Sequence, residues 1–126
     1  MPRSFLFFSL LFLLSQCGPP PKEFSGFDRA AFAADRNGCQ GVRQARQAEL
    51  ERIRRDLRGL SQDQILAVLG KPDRQRLGKR NGKQYIYFLA PGSQCAPTAS
   101  PARTLVLYYS ALEIVTEASY AAGLPD

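Results

Sequence analysis

Histidine is absent from the chain, and this absence removes the commonest base for nucleophilic catalysis. A Ser-His or Cys-His nucleophile therefore cannot be assembled within the chain. The sequence also has no glycine-rich phosphate loop and no pair of carboxylates at a diagnostic spacing. Because there is no C-x-x-C pair either, a zinc site is poorly supported. We therefore expect a protein that is not an enzyme, with no catalytic residues, no metal ligands and no cofactor.

The chain lacks an apolar run long enough to cross a bilayer. Residues 5–14 are apolar apart from Ser9, but as a helix they would span only roughly 15 Å, about half of a bilayer core. A short apolar run that follows a basic residue, here Arg3, is typical of a secretory signal peptide. We predict this signal at residues 1–16.

Cys17 stands at the exit of the predicted signal, after Leu14, Ser15 and Gln16. This order resembles a bacterial lipoprotein signal, which is cleaved before a cysteine whose sulfur carries lipid. We therefore predict acylation of Cys17 and a lipid-anchored protein of the cell envelope. Gly18 is not the aspartate associated with inner-membrane retention, which favours the outer membrane, facing the periplasm. Gln16 is larger than the usual residue before the cysteine, so the alternative is an ordinary secretory signal that leaves Cys17 as a free thiol.

Cysteine is scarce, and its number fits an oxidising compartment. The chain has 3 cysteines, so Cys39 and Cys95 remain as a pair if Cys17 carries lipid. Structural disulfides persist in exported proteins. Closing the segment between Cys39 and Cys95 would stabilise the fold by roughly 4 kcal/mol on the chain-entropy model. We predict this disulfide; a metal site and a catalytic thiol are the competing interpretations.

Acidic residues are fewer than basic ones, and the formal net charge is +6 at pH 7. The excess is concentrated between Arg43 and Lys83. Such a stretch can meet nucleic acid, anionic lipid or an acidic partner, but a solvated helix face is the simpler interpretation. An exported protein rarely meets nucleic acid, and no zinc-finger spacing or RNA-binding signature is present. We therefore expect a membrane contact through the lipid anchor and an envelope protein partner, with no nucleic acid and no small-molecule substrate.

Proline and hydrophobic spacing divide the chain into segments. Residues 17–26 contain consecutive prolines and predict an extended, lipid-anchored tether. Residues 27–120 predict a single domain, and residues 121–126 a loose C-terminal tail. Within the domain, the spacing of apolar residues predicts helices over residues 27–35 and 40–58.

A shorter helix is delimited at both ends by its own sequence. Ser61 is a candidate N-cap, and Gln64 completes a capping box. Gly70 can adopt the left-handed conformation that ends a helix, and Pro72 prevents continuation. These residues predict a structural helix of about two turns.

Beyond Pro72 the apolar period changes from helical to alternating. Strands are predicted over residues 83–89, 103–109 and 112–119, with a short strand around residues 74–77. Helices followed by an antiparallel meander indicate an α+β fold, with short helices packed on one face of a small antiparallel sheet. One disulfide would stabilise this fold.

The last two predicted strands form a hairpin across Ser110 and Ala111. In its second strand we expect Leu112, Ile114 and Ala118 to face the core. Glu113, Val115 and Glu117 mark the other face of this strand as solvated.

The order of these elements resembles a known family. Residues 59–73 (GLSQDQILAVLGKPD), a strand carrying Y-x-Y and a final hairpin are similar to the SmpA/OmlA (BamE-like) family. The resemblance covers residues 59–119 and the lipoprotein signal. It implies a small outer-membrane lipoprotein with an ααβββ domain and structural roles for Gly70, Pro72 and Asp73.

The same layout occurs in β-lactamase-inhibitor-like domains, which bind proteins rather than catalyse. The charged helix and the cysteine-bearing loop depart from the assembly-factor members of the family. The chain therefore resembles a separate, uncharacterised branch, and no binding residues for the β-barrel assembly machinery are carried over.

These patterns favour a non-catalytic, membrane-tethered lipoprotein that acts as a protein-interaction or envelope-assembly scaffold module. The alternative is an inhibitor-like or ligand-binding periplasmic lipoprotein of the same fold. A module of the first kind would bind its partner through the uncovered sheet face or through an edge strand.

Two surfaces are candidates for that contact. If Ile86 and Phe88 face the helices, then Tyr85, Tyr87 and Tyr108 form an exposed aromatic patch on the other sheet face, which often marks an interface. Coverage of this face by the tether or by the cysteine-bearing loop is the alternative. The second candidate is a basic helix face formed by Arg43, Arg46, Arg54 and Arg58.

Overall fold

A computed structural model describes residues 24–79 and 82–125. The predicted signal peptide, Cys17 and the tether up to residue 23 lie outside these ranges. The helices are α1 (Arg29–Ala34), α2 (Val42–Ala45), α3 (Gln47–Arg54) and α4 (Gln62–Leu69), with 3₁₀ turns at Arg36–Gly38 and Arg55–Leu57. No helix in the described ranges is long and apolar enough to cross a membrane.

Four strands form one antiparallel sheet in the order β1-β2-β3-β4. Their bounds are β1 (Arg74–Leu77), β2 (Lys83–Phe88), β3 (Arg103–Tyr109) and β4 (Val115–Ala122). The predicted α+β class with one disulfide is confirmed. The short segment at residues 74–77 is a full member of the sheet, because it pairs with β2 along its whole length.

One apolar cluster joins the sheet to the helices. The ring of Phe32 on α1 lies 5.9 Å from that of Tyr87 on β2, measured between centroids. The helices add Leu50, Ile53, Leu57, Ile65, Val68 and Leu69, and the strands add Tyr85, Leu105, Leu107 and Tyr109. The core therefore lies between the helices and one face of the sheet, as the α+β pattern requires.

The prediction of a single helix over residues 40–58 is wrong. α2 ends at Ala45, and Arg46 (φ −109°, ψ 19°) separates it from α3. The break is caused by tertiary contacts of Arg43. Its backbone N–H donates to the Asp35 carboxylate and its Nε donates to the carbonyl oxygen of Phe32. These two bonds orient α2 independently of α3. The break cannot be seen in the residue spacing, because the buried positions 43, 50 and 57 remain seven residues apart across it.

α4 begins and ends where its sequence predicts. The Ser61 hydroxyl accepts the N–H of Gln64, and the Gln64 side chain accepts the N–H of Ser61 at 2.9 Å, so the capping box is confirmed. Gly70 has φ +76° and ψ −171°, which is a positive φ as expected but lies outside the left-handed helical region. A Cβ at this position would lie 2.8 Å from the Cβ of Ala33.

Substitutions at the two ends of α4 should have unequal effects. Ser61→Ala should lower the free energy of unfolding by about 1 kcal/mol, because the N–H of Gln64 loses its acceptor. Gly70→Val should lower it further, since a β-branched residue resists positive φ and its Cβ would collide with Ala33. Urea denaturation followed by circular dichroism measures both effects, with Ala67→Lys as an exposed control on the same helix. A neutral Gly70→Val would show that the glycine is not needed there.

The start of the last strand differs from the prediction. β4 begins at Val115, because the chain reverses through a longer turn in which the N–H of Ser110 donates to the carbonyl oxygen of Ile114. Leu112 is 84% exposed and Val115 is buried, so the predicted orientation of both residues is wrong. A register shift where β3 meets β4 restores the predicted core position of Ala118.

The segment predicted as a loose tail is bound to the sheet. β4 continues to residue 122, and the hydroxyl of Thr104 then donates to the carbonyl oxygen of Gly123 at 2.7 Å. Arg76 on β1 donates to the carbonyl oxygen of Pro125. Because Thr104 belongs to β3 and Arg76 to β1, the chain crosses the sheet face opposite the helices. Val106 on that face is fully buried, so this face is not an open apolar surface.

Candidate interaction surface

The tyrosines predicted to form a partner-binding patch do not share a face. Tyr85 and Tyr87 face the helices and are 1% and 0% exposed, whereas Tyr108 is half-buried on the opposite face. The predicted exposure of Tyr85 and Tyr87 is therefore wrong. Both faces of β2 carry large apolar side chains, so alternation alone does not show which face meets the helices. The pairing of Tyr85 with Leu107 places both residues in the core.

The buried tyrosines are uncharged structural components. Burial raises the pKa of Tyr85, of Tyr87 and of Tyr109 above the ordinary value of 10.0. The Tyr87 hydroxyl donates to the carbonyl oxygen of Gly70 at 2.9 Å, which ties β2 to the end of α4. Tyr85 packs edge-on against Tyr109 with their ring centroids 4.9 Å apart. A partner cannot reach these side chains without opening the core.

Arg43, predicted to lie on a basic helix face, is 1% exposed. Its Nη1 donates to Asp73 Oδ2 at 2.5 Å and to the carbonyl oxygen of Phe88 at 2.9 Å. Its Nε donates to the carbonyl oxygen of Phe32 at 2.8 Å, and its guanidinium carbon lies 4.4 Å from the centroid of the Phe32 ring. The surface position predicted for Arg43 is therefore wrong, since a buried carboxylate and two carbonyl oxygens hold the side chain inside.

Asp73 is the other member of this buried ion pair, and its side chain is 0% exposed. Beyond Arg43, its Oδ1 accepts the N–H of Asn37 at 2.9 Å and its Oδ2 accepts the N–H of Phe88 at 2.9 Å. These bonds join α2, the Arg36–Gly38 turn and β2 at the point where β1 begins. The resemblance gave Asp73 a structural role, but no sequence signal paired it with Arg43, which lies 30 residues away.

The remaining arginines of the predicted basic face are largely compensated. Arg46 pairs with Glu49 at 3.1 Å, and Arg54 pairs with Glu51 at 3.0 Å. The hydrogen bond from Arg54 lowers the pKa of Glu51 to about 2, with a smaller contribution from a tyrosine hydroxyl. Arg58 is exposed and forms no ion pair with another described residue. Arginines that alternate with their own carboxylates produce a weak net field, as expected of a solvated helix face.

The predicted disulfide between Cys39 and Cys95 is confirmed, with 5.8 Å between the two Cα atoms. It fastens the loop that follows β2 to the segment after the Arg36–Gly38 turn. Gln94 reinforces the connection, because its Nε2 donates to the carbonyl oxygens of Asn37 at 2.8 Å and of Ala90 at 2.7 Å. Both cysteines lie at the surface, so the bond cross-links the chain rather than filling the core.

The fastened loop forms one wall of a groove of about 400 Å³. Phe88, Pro101 and Leu124 line it, together with Arg74 from β1. The guanidinium carbon of Arg74 lies 5.5 Å from the centroid of the Phe88 ring. The groove is therefore mainly apolar, with one cation where it meets the sheet edge.

The two edges of the sheet differ in protection. The β4 edge is partly covered by residues from the helical half of the chain. The N–H of Gly59 donates to the carbonyl oxygen of Val115, and the N–H of Val115 donates to that of Leu60. The side chain of Arg54 donates to the carbonyl oxygen of Ala118. β1 pairs with β2 on one side and, within the described residues, has no strand on the other. All four residues of β1 are exposed, and Leu77 is 75% exposed. In residues 24–79 and 82–125, the β1 edge is therefore the open edge of the sheet.

Comparison of the chain with protein-family models, with curated proteins and with solved structures found no match in any of the three. Within residues 24–79 and 82–125, no group of three or more histidine, cysteine, aspartate or glutamate side chains is placed to hold a metal ion.

Proposed function

We propose that the protein is a non-catalytic lipoprotein of the bacterial envelope that acts as a protein-interaction or assembly module and binds through the β1 edge. The observation that supports this proposal is that β1 is an exposed edge strand, in which the apolar side chain of Leu77 is 75% exposed and is flanked by basic residues. The free N–H and C=O groups of an edge strand are a template for another chain. The resemblance of residues 59–73 to the SmpA/OmlA family agrees with this proposal and stays a hypothesis.

The proposed anchor would keep this surface close to the membrane. Between acylated Cys17 and Phe24, the first described residue, a fully extended chain reaches at most ~25 Å. At the outer membrane, the domain would therefore remain within about one domain diameter of the periplasmic leaflet. The partner in this proposal is a protein of the same envelope.

Removal of the acylation site should release the protein from the membrane. Cys17→Ser should move it from the membrane fraction to the soluble fraction, and mass spectrometry of the unaltered protein should show a lipid-modified Cys17 at its amino terminus. Ser15→Ala is the matched control, because it keeps a small residue in the signal. Neither change should alter unfolding in urea, since both precede the described domain. An unmodified terminus, or a mature chain that starts elsewhere, would refute the anchor.

Partner binding can be located with a photo-crosslinking residue in intact cells. At Gln75 on β1 it should give an adduct with an envelope protein, and at Gln44 on α2 it should not. Both glutamines are exposed, so the comparison isolates the surface. Arg74→Glu with Arg76→Glu should remove the Gln75 adduct. Adducts from Gln44 alone would assign the contact to the helices and refute the role of the β1 edge.

The groove beside the loop supports a second candidate, a ligand-binding lipoprotein. Its volume of about 400 Å³ is within the range of small-molecule sites. Leu124→Arg would fill it, because this side chain lines the groove and is 47% exposed. If Leu124→Arg abolishes binding of an envelope component while Arg76→Glu, which changes β1 outside the groove lining, does not, the groove is the functional surface.

A further inference from the structure

From the chemistry of its open edge, we infer that β1 accepts an extended acidic polypeptide segment as a fifth strand of the sheet. This inference rests on the proposed function and specifies the kind of partner that the surface fits. Strand addition uses main-chain hydrogen bonds for affinity and alternate side chains for specificity. β1 has both, because its far side carries no strand from the described residues and all of its side chains are exposed.

Among the described residues, no carboxylate pairs with the basic side chains around β1. Lys71, Arg74, Arg76 and Lys79 are all exposed, and none of them forms an ion pair within the described part of the chain. The acidic residue of this stretch, Asp73, is buried against Arg43 and cannot neutralise them. This contrasts with α3, where Glu51 pairs with Arg54 and Glu49 pairs with Arg46, which directly precedes the helix. The charge at the edge is therefore complementary to an acidic partner.

The two arginines of β1 retain donors for such a partner. Nη1 of Arg74 donates to Asn37 Oδ1 at 3.2 Å and to the carbonyl oxygen of Asp73 at 2.7 Å, while its Nη2 donates to no described residue. Nη1 of Arg76 donates to the carbonyl oxygen of Pro125. Both side chains are thus held near the sheet by carbonyl and amide oxygens. A carboxylate of a bound partner could then form an ion pair with either guanidinium.

The alternation of a strand defines the pattern of the partner. Arg74 and Arg76 lie on the sheet face opposite the helices, about 7 Å apart along the strand, while Gln75 and Leu77 lie on the helix side. A paired segment would therefore carry carboxylates at alternate residues and an aliphatic side chain between them to contact Leu77. A second copy of this chain fits poorly, because antiparallel pairing of two β1 strands brings their arginines together and like charges across a pair are destabilising.

The competing explanation is that the arginines only protect the edge, since charged side chains are a common means of blocking strand association. The two explanations predict opposite results. If the arginines bind a partner, neutralising them should weaken capture of an acidic strand. If they only block association, neutralising them should cause self-association and leave the affinity for acidic peptides unchanged.

The test uses the mature protein purified from envelopes in nonionic detergent. The probe is a short fluorescent peptide that alternates glutamate with valine, and fluorescence anisotropy gives its Kd. Two N-methylated versions of the peptide each block one set of alternate amides. One version should lose binding and the other should keep it, because only one set of amides faces β1 in an added strand. A peptide with lysine in place of glutamate should not bind.

Charge reversal locates the site on the protein. Arg74→Glu with Arg76→Glu should raise the Kd by roughly tenfold at low salt, whereas the matched reversal Arg55→Glu with Arg58→Glu should change it by less than about twofold. Amide signals of residues 74–77 should shift in NMR spectra on titration with the probe. Tolerance of both N-methylated peptides would overturn strand addition, even if charge reversal still weakened binding.

Two further outcomes separate this inference from the proposed function. Self-association of the Arg74→Gln, Arg76→Gln variant, with unchanged peptide affinity, would show that the arginines only protect the edge and would overturn the inference. A Gln75 photo-adduct in cells without peptide binding would also overturn it, while the proposed interaction module would stand. Strand-like peptide binding without any photo-adduct would support the inference and count against the proposed role in the envelope.

Discussion

Arg43→Met should lower the free energy of unfolding by about 3–5 kcal/mol, because it removes the buried guanidinium that pairs most closely with a buried carboxylate. Asp73 would keep the N–H groups of Asn37 and Phe88 as donors and the half-exposed Arg36 guanidinium at 3.8 Å. It would lose the buried guanidinium at 2.5 Å. Methionine occupies a similar volume, so the loss is mainly electrostatic. Urea denaturation followed by circular dichroism measures the change.

Arg46→Met is the matched control for this prediction. Arg46 lies at the surface and pairs with Glu49 and Asp28, so its replacement should change stability by no more than about 1 kcal/mol. A double-mutant cycle with Asp73→Leu tests the pairing itself, since removing both members should cost less than the sum of the single changes. An Arg43→Met protein as stable as the Arg46→Met protein would rule out the buried ion pair as a major source of stability.

Cys39→Ser with Cys95→Ser should lower the free energy of unfolding by about 2–5 kcal/mol, in the range for native disulfides of small exported domains. Both cysteines lie at the surface, so little packing is lost and the effect comes from releasing the cross-link between the Arg36–Gly38 region and the loop after β2. Non-reducing peptide mapping should join the two cysteine peptides. Urea denaturation with and without reductant gives the difference.

Reduction of the unaltered protein provides the internal comparison for this result. The reduced protein should unfold at the same urea concentration as the double serine variant, because both lack the same bond. Cys17→Ser, which lies outside the disulfide, should leave the transition unchanged. Equal stability of the oxidised and reduced forms would show that the loop is held by Gln94 and its neighbours rather than by the disulfide.

The features predicted correctly are those that depend on residues close together in the sequence or on the number of cysteines. The capping box needs only Ser61 and Gln64, which are three residues apart, and the positive φ of Gly70 follows from its place directly after α4. The disulfide was predictable because acylation of Cys17 would leave a single pair of cysteines in an oxidising compartment. Alternating apolar residues located β2 and β3 to within a residue or two.

Several of the errors concern the direction in which side chains point. The sequence pattern puts Tyr85 and Tyr87 on an open face, because β2 is apolar on both sides and a period of two residues does not identify the face that meets the helices. It puts Leu112 in the core, because a two-residue turn is shorter than the turn that forms. It puts Arg43 at the surface, because a charged residue on a helix is usually solvated.

The sequence by itself determined the class of the fold, the limits of α4 and the pairing of Cys39 with Cys95, since local hydrogen bonding and composition are sufficient for these features. Only the tertiary structure decided which sheet face meets the helices and that β1 is the open edge among the described strands. It also brought Arg43 onto Asp73 across 30 residues of chain. The physical reason is that burial and strand pairing depend on contacts between segments that are distant in the sequence. The residue spacing within any one segment does not report these contacts.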